Sequence, residues 1–178
     1  MNLLIASFPL FLLLGIAVVT DVRTRRIPNW LNLLIVVTGL TNAVAFGVPV
    51  TLPQALLGML VGFGILVIPF ALNAIGGGDV KMLAAIGAWL GPIPTAQVYA
   101  VAGIAGLIIV IVQCAANGRL TRLVSNSTLI VANLANLDRL GKDHVAAAGQ
   151  SLRSIDKPLP YAVPAIIGVA VTVMMNVI

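Results

Sequence analysis

Asp21 and Asp79 are the residues of this chain whose type and position could do chemistry in an apolar environment. The 178 residues contain no glutamate and five aspartates. Asp21 follows a long apolar run, and Asp79 opens another directly after the three glycines of the stretch GGGDVK. The other three aspartates lie among basic residues in a polar segment, where solvated charge is the expected role: Asp138, Asp143 and Asp156. Because a carboxylate at membrane depth is energetically costly, Asp21 and Asp79 are interpreted as functional.

Two carboxylates held close together can hydrolyse a peptide bond. Like charges about 3 Å apart cannot both be ionised, so one carboxyl group keeps a proton. The ionised partner can then take a proton from water while the protonated partner polarises a carbonyl group, without a metal ion or a covalent intermediate. The pair titrates as one unit, so the acid and base roles are not fixed to either residue.

Each aspartate also has a structural alternative, which is an ion pair with a nearby basic residue. Asp21 could pair with Arg23 or Arg25, and Asp79 could pair with Lys81. A functional alternative is a proton- or ion-coupled transporter that uses both acids as a relay. Small transporters usually have repeated halves or broken helices in corresponding positions, and this sequence shows one such break.

Several other chemistries lack the residues that they need. The sequence has no HExxH motif, no glutamate and one histidine, His144, so a zinc protease site cannot be assembled. Walker-type and Rossmann glycine patterns are absent as well. The one cysteine, Cys114, lies in an apolar run and is expected to be a buried free thiol. We therefore expect no metal ion and no cofactor.

The elements that must hold the two aspartates are membrane helices. Apolar residues make up 60% of the chain and charged residues 8%, whereas soluble domains are about half apolar and a quarter charged. A bilayer core of about 30 Å needs roughly 20 apolar residues per helix. The sequence predicts an all-α polytopic membrane protein, residues 1–178 forming a single domain, with six transmembrane helices at about 2–20, 31–48, 54–74, 80–95, 96–115 and 159–178.

The basic residues predict the orientation of these spans. All ten lysines and arginines lie in alternate connections, which are therefore assigned to the cytoplasm, with both termini outside. The same distribution argues against a nucleic-acid-binding face. Most of the charge lies in the polar segment 116–158, where four apolar residues at helical spacing predict an amphipathic helix on the inner membrane surface: Leu123, Ile130, Leu134 and Leu137.

Glycines and prolines raise two further expectations about the helices. Gly58 and Gly62 form a GxxxG pair, and Gly87 and Gly91 have the same spacing, which permits close helix contact. Gly91 is only the twelfth residue after Asp79, a distance of roughly 18 Å at 1.5 Å per residue. Either this helix runs on through Pro92 and Pro94, or Asp79 lies below the cytoplasmic surface of the membrane.

The stretches around both aspartates resemble the signature regions of type IV prepilin peptidases, which are GxGD intramembrane aspartyl proteases. The stretch TDVRTRRIPNWLN contains Asp21, and GGGDVKMLAAIGAWLG contains Asp79 at the end of a GxGD pattern. Residues 157–168, KPLPYAVPAIIG, resemble the proline-tyrosine segment at the start of the family's last helix. The resemblance covers essentially the whole chain, and it implies a GxGD aspartyl protease fold with Asp21 and Asp79 as the catalytic pair.

The resemblance also implies a substrate and a location. Such enzymes cleave the basic leader from prepilin or pseudopilin precursors at the cytoplasmic face of the bacterial inner membrane. Larger members carry an N-terminal insertion with paired CxxC motifs and also N-methylate the trimmed pilin. This chain begins with its first helix and has one cysteine, so we expect no methyltransferase activity. The short form looks like the peptidases of tight-adherence (Flp) pilus systems, the TadV and CpaA group.

The residues beside Asp79 are expected to support it. Gly76, Gly77 and Gly78 can adopt positive φ and let a peptide strand approach closely. Lys81 has two interpretations: it tunes Asp79 or holds an acidic group of the substrate, or it is a topology anchor on the cytoplasmic side.

Five residues further from the pair receive structural interpretations. Pro28 and Asn29 are expected to shape the start of the second helix, because proline favours the first turn and asparagine favours the cap. Tyr161 is expected to border the site or to mark the membrane interface, and Trp30 and Trp89 to mark the interface.

Overall fold

The computed structural model describes residues 7–47, 50–72, 75–136 and 159–176, apart from the side chains of residues 122 and 134. Within these ranges the chain forms helices and no strands, so the all-α prediction is confirmed. The helices are α1 (Phe8–Thr24), α2 (Asn29–Ala45), α3 (Leu52–Ala71), α4 (Gly77–Leu90), α5 (Pro92–Ala116), α6 (Leu120–Ala135) and α7 (Ala162–Met175). Six of them overlap the apolar segments predicted from the sequence. Helix α6 contains Leu123, Ile130 and Leu134 of the predicted amphipathic helix, whereas Leu137 and the remainder of the polar segment to residue 158 lie outside the described residues.

Two helices, α3 and α5, are long and apolar enough to cross a membrane. Helices α2 and α7 are apolar but shorter, with 17 and 14 residues. Large apolar side chains lie exposed along the outer faces of the described helices, for example Leu60 on α3 and Leu107 on α5. An apolar outer surface of this extent is characteristic of a membrane-contacting protein.

Helix α4 lies at the centre of the described helices and packs against α2, α3 and α5. Nine of its 14 residues are buried: Val80, Met82, Leu83, Ala85, Ile86, Gly87, Ala88, Trp89 and Leu90. Its first turn, which carries Asp79, is the less buried end. Helix α7 packs against α5 and α1, which brings the start of α7 beside the end of α1.

The close contact between α3 and α4 depends on glycines, as the sequence predicted. The backbones at Gly58 and Gly87 approach so closely that a Cβ atom on either residue would overlap the backbone of the other. A Cβ atom at Gly62 would lie 2.5 Å from the carbonyl oxygen of Leu83. Small residues at such a crossing let helices pack backbone to backbone, and α3 therefore fixes the position of α4.

Helix α4 ends at Leu90, so the predicted span of 80–95 is wrong at its C-terminal end. Gly91 follows with φ 78°, and Pro92 begins α5. A glycine adopts positive φ without a side-chain clash, and a proline inside a helix would lose a backbone hydrogen bond, so a turn is favoured here. The 14 residues of α4 span about 21 Å at 1.5 Å per residue. The structure therefore shows the shorter of the two helices that the sequence left open.

Trp89 is a core residue, and its assignment to the membrane interface is wrong. Its side chain is 3% exposed, and its indole N–H donates a hydrogen bond to the carbonyl oxygen of Ile35 at 2.9 Å. The reason is the central position of α4, which has neighbouring helices on several sides. Trp30, at the start of α2, is 59% exposed, as an interface residue would be.

Candidate active site

Asp21 lies in the last turn of α1, because that helix continues to Thr24 and not only to residue 20 as predicted. Its side chain is 6% exposed. Its Oδ2 atom accepts a hydrogen bond of 3.0 Å from the backbone N–H of Ala162, the first residue of α7. The first N–H groups of a helix have no partner within the helix and favour a negative charge. The start of α7 thus holds the Asp21 carboxylate in place.

Helix α1 is closed by a sharp turn directly after Asp21. Arg25 adopts a left-handed conformation with φ 54°, and its N–H donates to the carbonyl oxygen of Asp21 at 2.8 Å. The turn places Arg25, Arg26 and Ile27 next to the aspartate.

Asp79 is the third residue of α4, and its carboxylate caps that helix. Its Oδ2 atom accepts a hydrogen bond of 3.3 Å from the backbone N–H of Gly76. The expectation of positive φ in the glycine run is wrong: Gly76 is extended, with φ −80° and ψ 149°, and Gly77 and Gly78 already belong to α4. The glycines add no side chains of their own beside Asp79, and the side chains of Phe70 and Ile27 lie next to Gly77 and Gly78.

Both carboxylates line one cavity of about 790 Å³. Its walls come from the end of α1, the glycine run before α4, one face of α5 and the segment that leads into α7. They include Arg25, Arg26, Ile27, Asn29, Ile75, Gly76, Gly78, Tyr99, Ala102, Gly103, Gly106, Leu107, Val110, Leu159, Pro160, Tyr161 and Pro164. The fold therefore brings together the two aspartates that the sequence singled out.

The ion pairs considered as structural alternatives are not present among the residues that the structure describes. Asp21 is bonded to the Ala162 N–H, and Asp79 to the Gly76 N–H. The Nζ atom of Lys81 donates a hydrogen bond to Oδ1 of Asn29 at 2.9 Å. Within the described ranges, both carboxylates are therefore held by backbone groups, not by basic side chains.

Pro28 and Asn29 shape the start of α2, but not through an asparagine cap. Pro28 occupies the N-cap position with an extended backbone, and Asn29 is already the first helical residue. From that position the Asn29 side chain accepts the bond from Lys81, which links α2 to α4. The interpretation of Asn29 as a capping residue is therefore wrong, since proline takes the cap position.

Tyr161 borders the cavity, as one of its two interpretations predicted. Its ring is partly buried, and its hydroxyl oxygen exposes less than 1 Å². No hydrogen-bond partner for that hydroxyl lies among the described residues. A tyrosine at the membrane interface places its hydroxyl in water, so the other interpretation, an interface anchor, does not describe this side chain.

The sequence reasoning missed the face of α5 that closes the cavity. Tyr99, Gly103 and Gly106 recur at helical spacing on this face, and all three line the cavity. The sequence signal for this cavity wall was a tyrosine followed by small residues on one face of an apolar helix. That signal is weak, because glycines on a membrane helix more often mark helix packing.

The arrangement offers hydrolytic chemistry without further groups. Two carboxylates on the walls of a cavity of this size can hold a water molecule against a carbonyl carbon. Within the described ranges no group of three or more histidine, cysteine, aspartate or glutamate residues could hold a metal ion. Cys114 is buried and free, as predicted.

Comparisons with known proteins agree with this chemistry. A family model described as the type IV leader peptidase family matches residues 8–111, a range that includes both aspartates. The Type 4 prepilin-like proteins leader peptide-processing enzyme of Escherichia coli O78:H11 is 35% identical over 103 residues. The aligned region covers 54% of this chain and 38% of that enzyme. No solved structure matches the chain. Because the family match spans more than half of the sequence, the chain belongs to the type IV leader peptidase family.

Proposed function

We propose that this protein is an aspartyl protease that removes the basic leader from prepilin or pseudopilin precursors. Membership of the type IV leader peptidase family supports a peptidase that processes prepilins in general. The aspartyl mechanism is supported by the shared cavity, because both Asp21 and Asp79 line it. Among the described residues, neither aspartate forms an ion pair that would occupy its carboxylate.

Hydrolysis in this site proceeds with one proton shared by the two carboxylates. The ionised carboxylate takes a proton from water as the water oxygen bonds to the carbonyl carbon, and the protonated carboxyl group gives its proton to the carbonyl oxygen. The C–N bond then breaks as the carboxyl group that took the proton from water gives it to the leaving nitrogen. A hydroxyl group of the tetrahedral intermediate returns a proton to the other carboxylate. The pair ends with one proton, as it began, and no covalent intermediate forms.

The walls of the cavity suit an extended peptide. Gly76 and Gly78 beside Asp79, and Gly103 and Gly106 on α5, present backbone and no side chains to the cavity. An extended segment needs partners for its own N–H and C=O groups, because unpaired backbone is costly in an apolar environment. The N–H group of Gly78 lies in the first turn of α4, where it has no partner within the helix, and it can supply one such contact.

Orientation and location follow from charge. Arg23, Arg25 and Arg26 lie directly after Asp21, and lysines and arginines are enriched in cytoplasmic connections. The proposal therefore puts the active site at the cytoplasmic face of the bacterial inner membrane, in a protein with six spans and both termini outside. A leader that stays in the cytoplasm is accessible from that side.

Two finer points extend the proposal. The substrate is a Flp-like prepilin of a tight-adherence system, as the resemblance to the short peptidases implies. The enzyme does not N-methylate the trimmed pilin, because the paired CxxC motifs of the methylating members need more than the one cysteine in this sequence.

The test is cleavage by the purified protein in liposomes. A candidate prepilin from the same genome is co-reconstituted, and mass spectrometry detects both the shortened pilin and any added methyl group. The proposal expects a shortened, unmethylated product with the wild-type protein and none with Asp79→Asn. A pH-sensitive dye inside the same liposomes tests the alternative. Proton flux that needs Asp79, without any cleavage, would replace the peptidase by a proton-coupled transporter.

A further inference from the structure

Tyr161 carries an unused hydrogen-bond donor at the wall of the cavity. Among the described residues, four have buried side-chain polar atoms without a partner: Ser7, Asn32, Tyr161 and Thr172. Of these, Tyr161 is the residue that lines the cavity with Asp21 and Asp79. Buried polar groups are nearly always paired, so an unpaired one beside a candidate active site calls for a functional explanation.

The position of Tyr161 relates it to both carboxylates. It directly precedes Ala162, whose N–H binds Asp21 at 3.0 Å. Tyr161 and Asp79 lie on the walls of the same cavity. We therefore expect a carbonyl group that reacts between the two carboxylates to bind near this side chain.

We propose that Tyr161 is a third catalytic residue, whose hydroxyl donates a hydrogen bond to the carbonyl oxygen of the peptide bond being cleaved. This inference rests on the proposed peptidase function. The carbonyl oxygen gains negative charge as water adds to the carbon, and a fixed donor stabilises that charge more than it stabilises the bound substrate. The hydroxyl keeps its own proton throughout, since an ordinary tyrosine ionises only near pH 10.

The burial of the hydroxyl favours this role. A donor that is already removed from water loses no hydration when the substrate arrives, so it can act as a preorganised dipole. The same burial makes the hydroxyl unfavourable for the stability of the protein without substrate. If the hydroxyl is a catalytic donor, Tyr161→Phe should keep or raise the stability of the protein without substrate. If the hydroxyl has a structural role, the same substitution should lower that stability.

Thr172 on α7 provides the matched control. Its hydroxyl is also buried and has no partner among the described residues, but Thr172 does not line the cavity. Thr172→Val removes the same kind of atom from a position that does not face the substrate. A general effect of removing a buried hydroxyl would change both variants, whereas a specific donor changes the activity of Tyr161→Phe alone.

The experiment measures kcat, KM and thermal stability of the wild-type protein, Tyr161→Phe and Thr172→Val with a purified prepilin in detergent. We expect Tyr161→Phe to lower kcat by roughly 10- to 100-fold and to keep KM within about threefold of the wild type. A single oxyanion donor contributes a factor of about 10² or more to kcat where no acid shares the charge, and here a protonated carboxyl group shares it. The melting temperature of Tyr161→Phe should equal or exceed that of the wild type. Thr172→Val should keep kcat within about threefold, because the residue lies outside the cavity lining.

A second measurement uses a peptide difluoroketone, whose hydrate mimics the tetrahedral intermediate. Tyr161→Phe should weaken its binding by the same factor as kcat/KM, because transition-state analogues report interactions made in that state. Wild-type kcat in Tyr161→Phe, or a loss confined to KM or to stability, would overturn the inference. If the wild type fails to cleave, or Asp79→Asn still cleaves, the proposed function fails instead, so the two failures are distinguishable.

Discussion

Gly62 on α3 allows a quantitative test of how helix packing positions Asp79. A Cβ atom at this residue would lie 2.5 Å from the carbonyl oxygen of Leu83 and 2.9 Å from the backbone nitrogen of Ala84. Ordinary contacts begin at 3.4 Å, so Gly62→Ala requires the two backbones to separate by about 0.9 Å (3.4 minus 2.5). The atoms that would clash belong to the helix backbone and cannot rotate away as a side chain could.

The size of the effect follows from that shift. Inserting a methyl group into a tightly packed contact costs about 1–3 kcal/mol of unfolding free energy. Leu83 lies one helical turn after Asp79 on α4, so the shift reaches the carboxylate. A displacement of about 1 Å in a catalytic group can lower a rate by roughly 10²-fold. We expect Gly62→Ala to lose about 1–3 kcal/mol and to cleave prepilin about 10- to 100-fold more slowly.

Gly64 is the control on the same helix. A Cβ atom there has no heavy atom within 4 Å, so Gly64→Ala should keep wild-type activity and could gain up to about 1 kcal/mol from helix propensity. The assay is denaturant unfolding in detergent micelles, followed by tryptophan fluorescence, together with prepilin cleavage. Equal unfolding free energies for Gly62→Ala and Gly64→Ala would refute the packing argument.

Trp89, Lys81 and the carboxylate pair each allow another test. Trp89→Phe should lower the unfolding free energy by about 1–3 kcal/mol, because it removes a buried hydrogen bond to the Ile35 carbonyl and leaves a gap. Trp30→Phe, at an exposed position, should change the unfolding free energy by less than about 0.5 kcal/mol. Equal effects of the two variants in unfolding assays would contradict the assignment of Trp89 to the core. Lys81→Met and Asn29→Ala should each keep the cleavage rate within about threefold of the wild type. A double-mutant cycle on the unfolding free energy should give a coupling of about 1 kcal/mol or less between the two residues. If Lys81→Met loses as much activity as an aspartate variant, Lys81 belongs to the active site instead. Cleavage should fall at both low and high pH, because two protonated carboxyl groups leave no base and two ionised ones leave no acid; a rate that rises to a plateau with pH would argue against a shared proton.

Much of the site could be predicted because its key residues are unusual in their surroundings. Asp21 and Asp79 stand out as acids at the ends of apolar runs, and no other constellation in the sequence offers hydrolytic chemistry. The glycine contacts between α3 and α4 were also predictable, since small residues at GxxxG spacing have a direct packing consequence.

The remaining features depend on tertiary structure, which local sequence patterns do not carry. Trp89 has the composition of an interface residue, and only the central position of α4 buries it. The partner of Asp21 is a backbone N–H at Ala162, 141 residues away, and no side-chain motif signals a backbone donor. Lys81 binds Asn29 and not Asp79, because the relative placement of α2 and α4 decides which acceptor is in reach.

The central claim is that Asp21 and Asp79 act together as one catalytic unit, and single and double variants test it most directly. Purified wild-type protein, Asp21→Asn, Asp79→Asn and the double variant are compared for release of the prepilin leader, measured by mass spectrometry. Asparagine keeps an oxygen that can accept the Ala162 or Gly76 N–H, so the fold should survive, and unfolding assays check this. We expect each single variant to lose at least roughly 10³-fold in kcat and the double variant to be no slower, because residues of one unit are non-additive. Wild-type cleavage by either folded single variant would contradict the central claim.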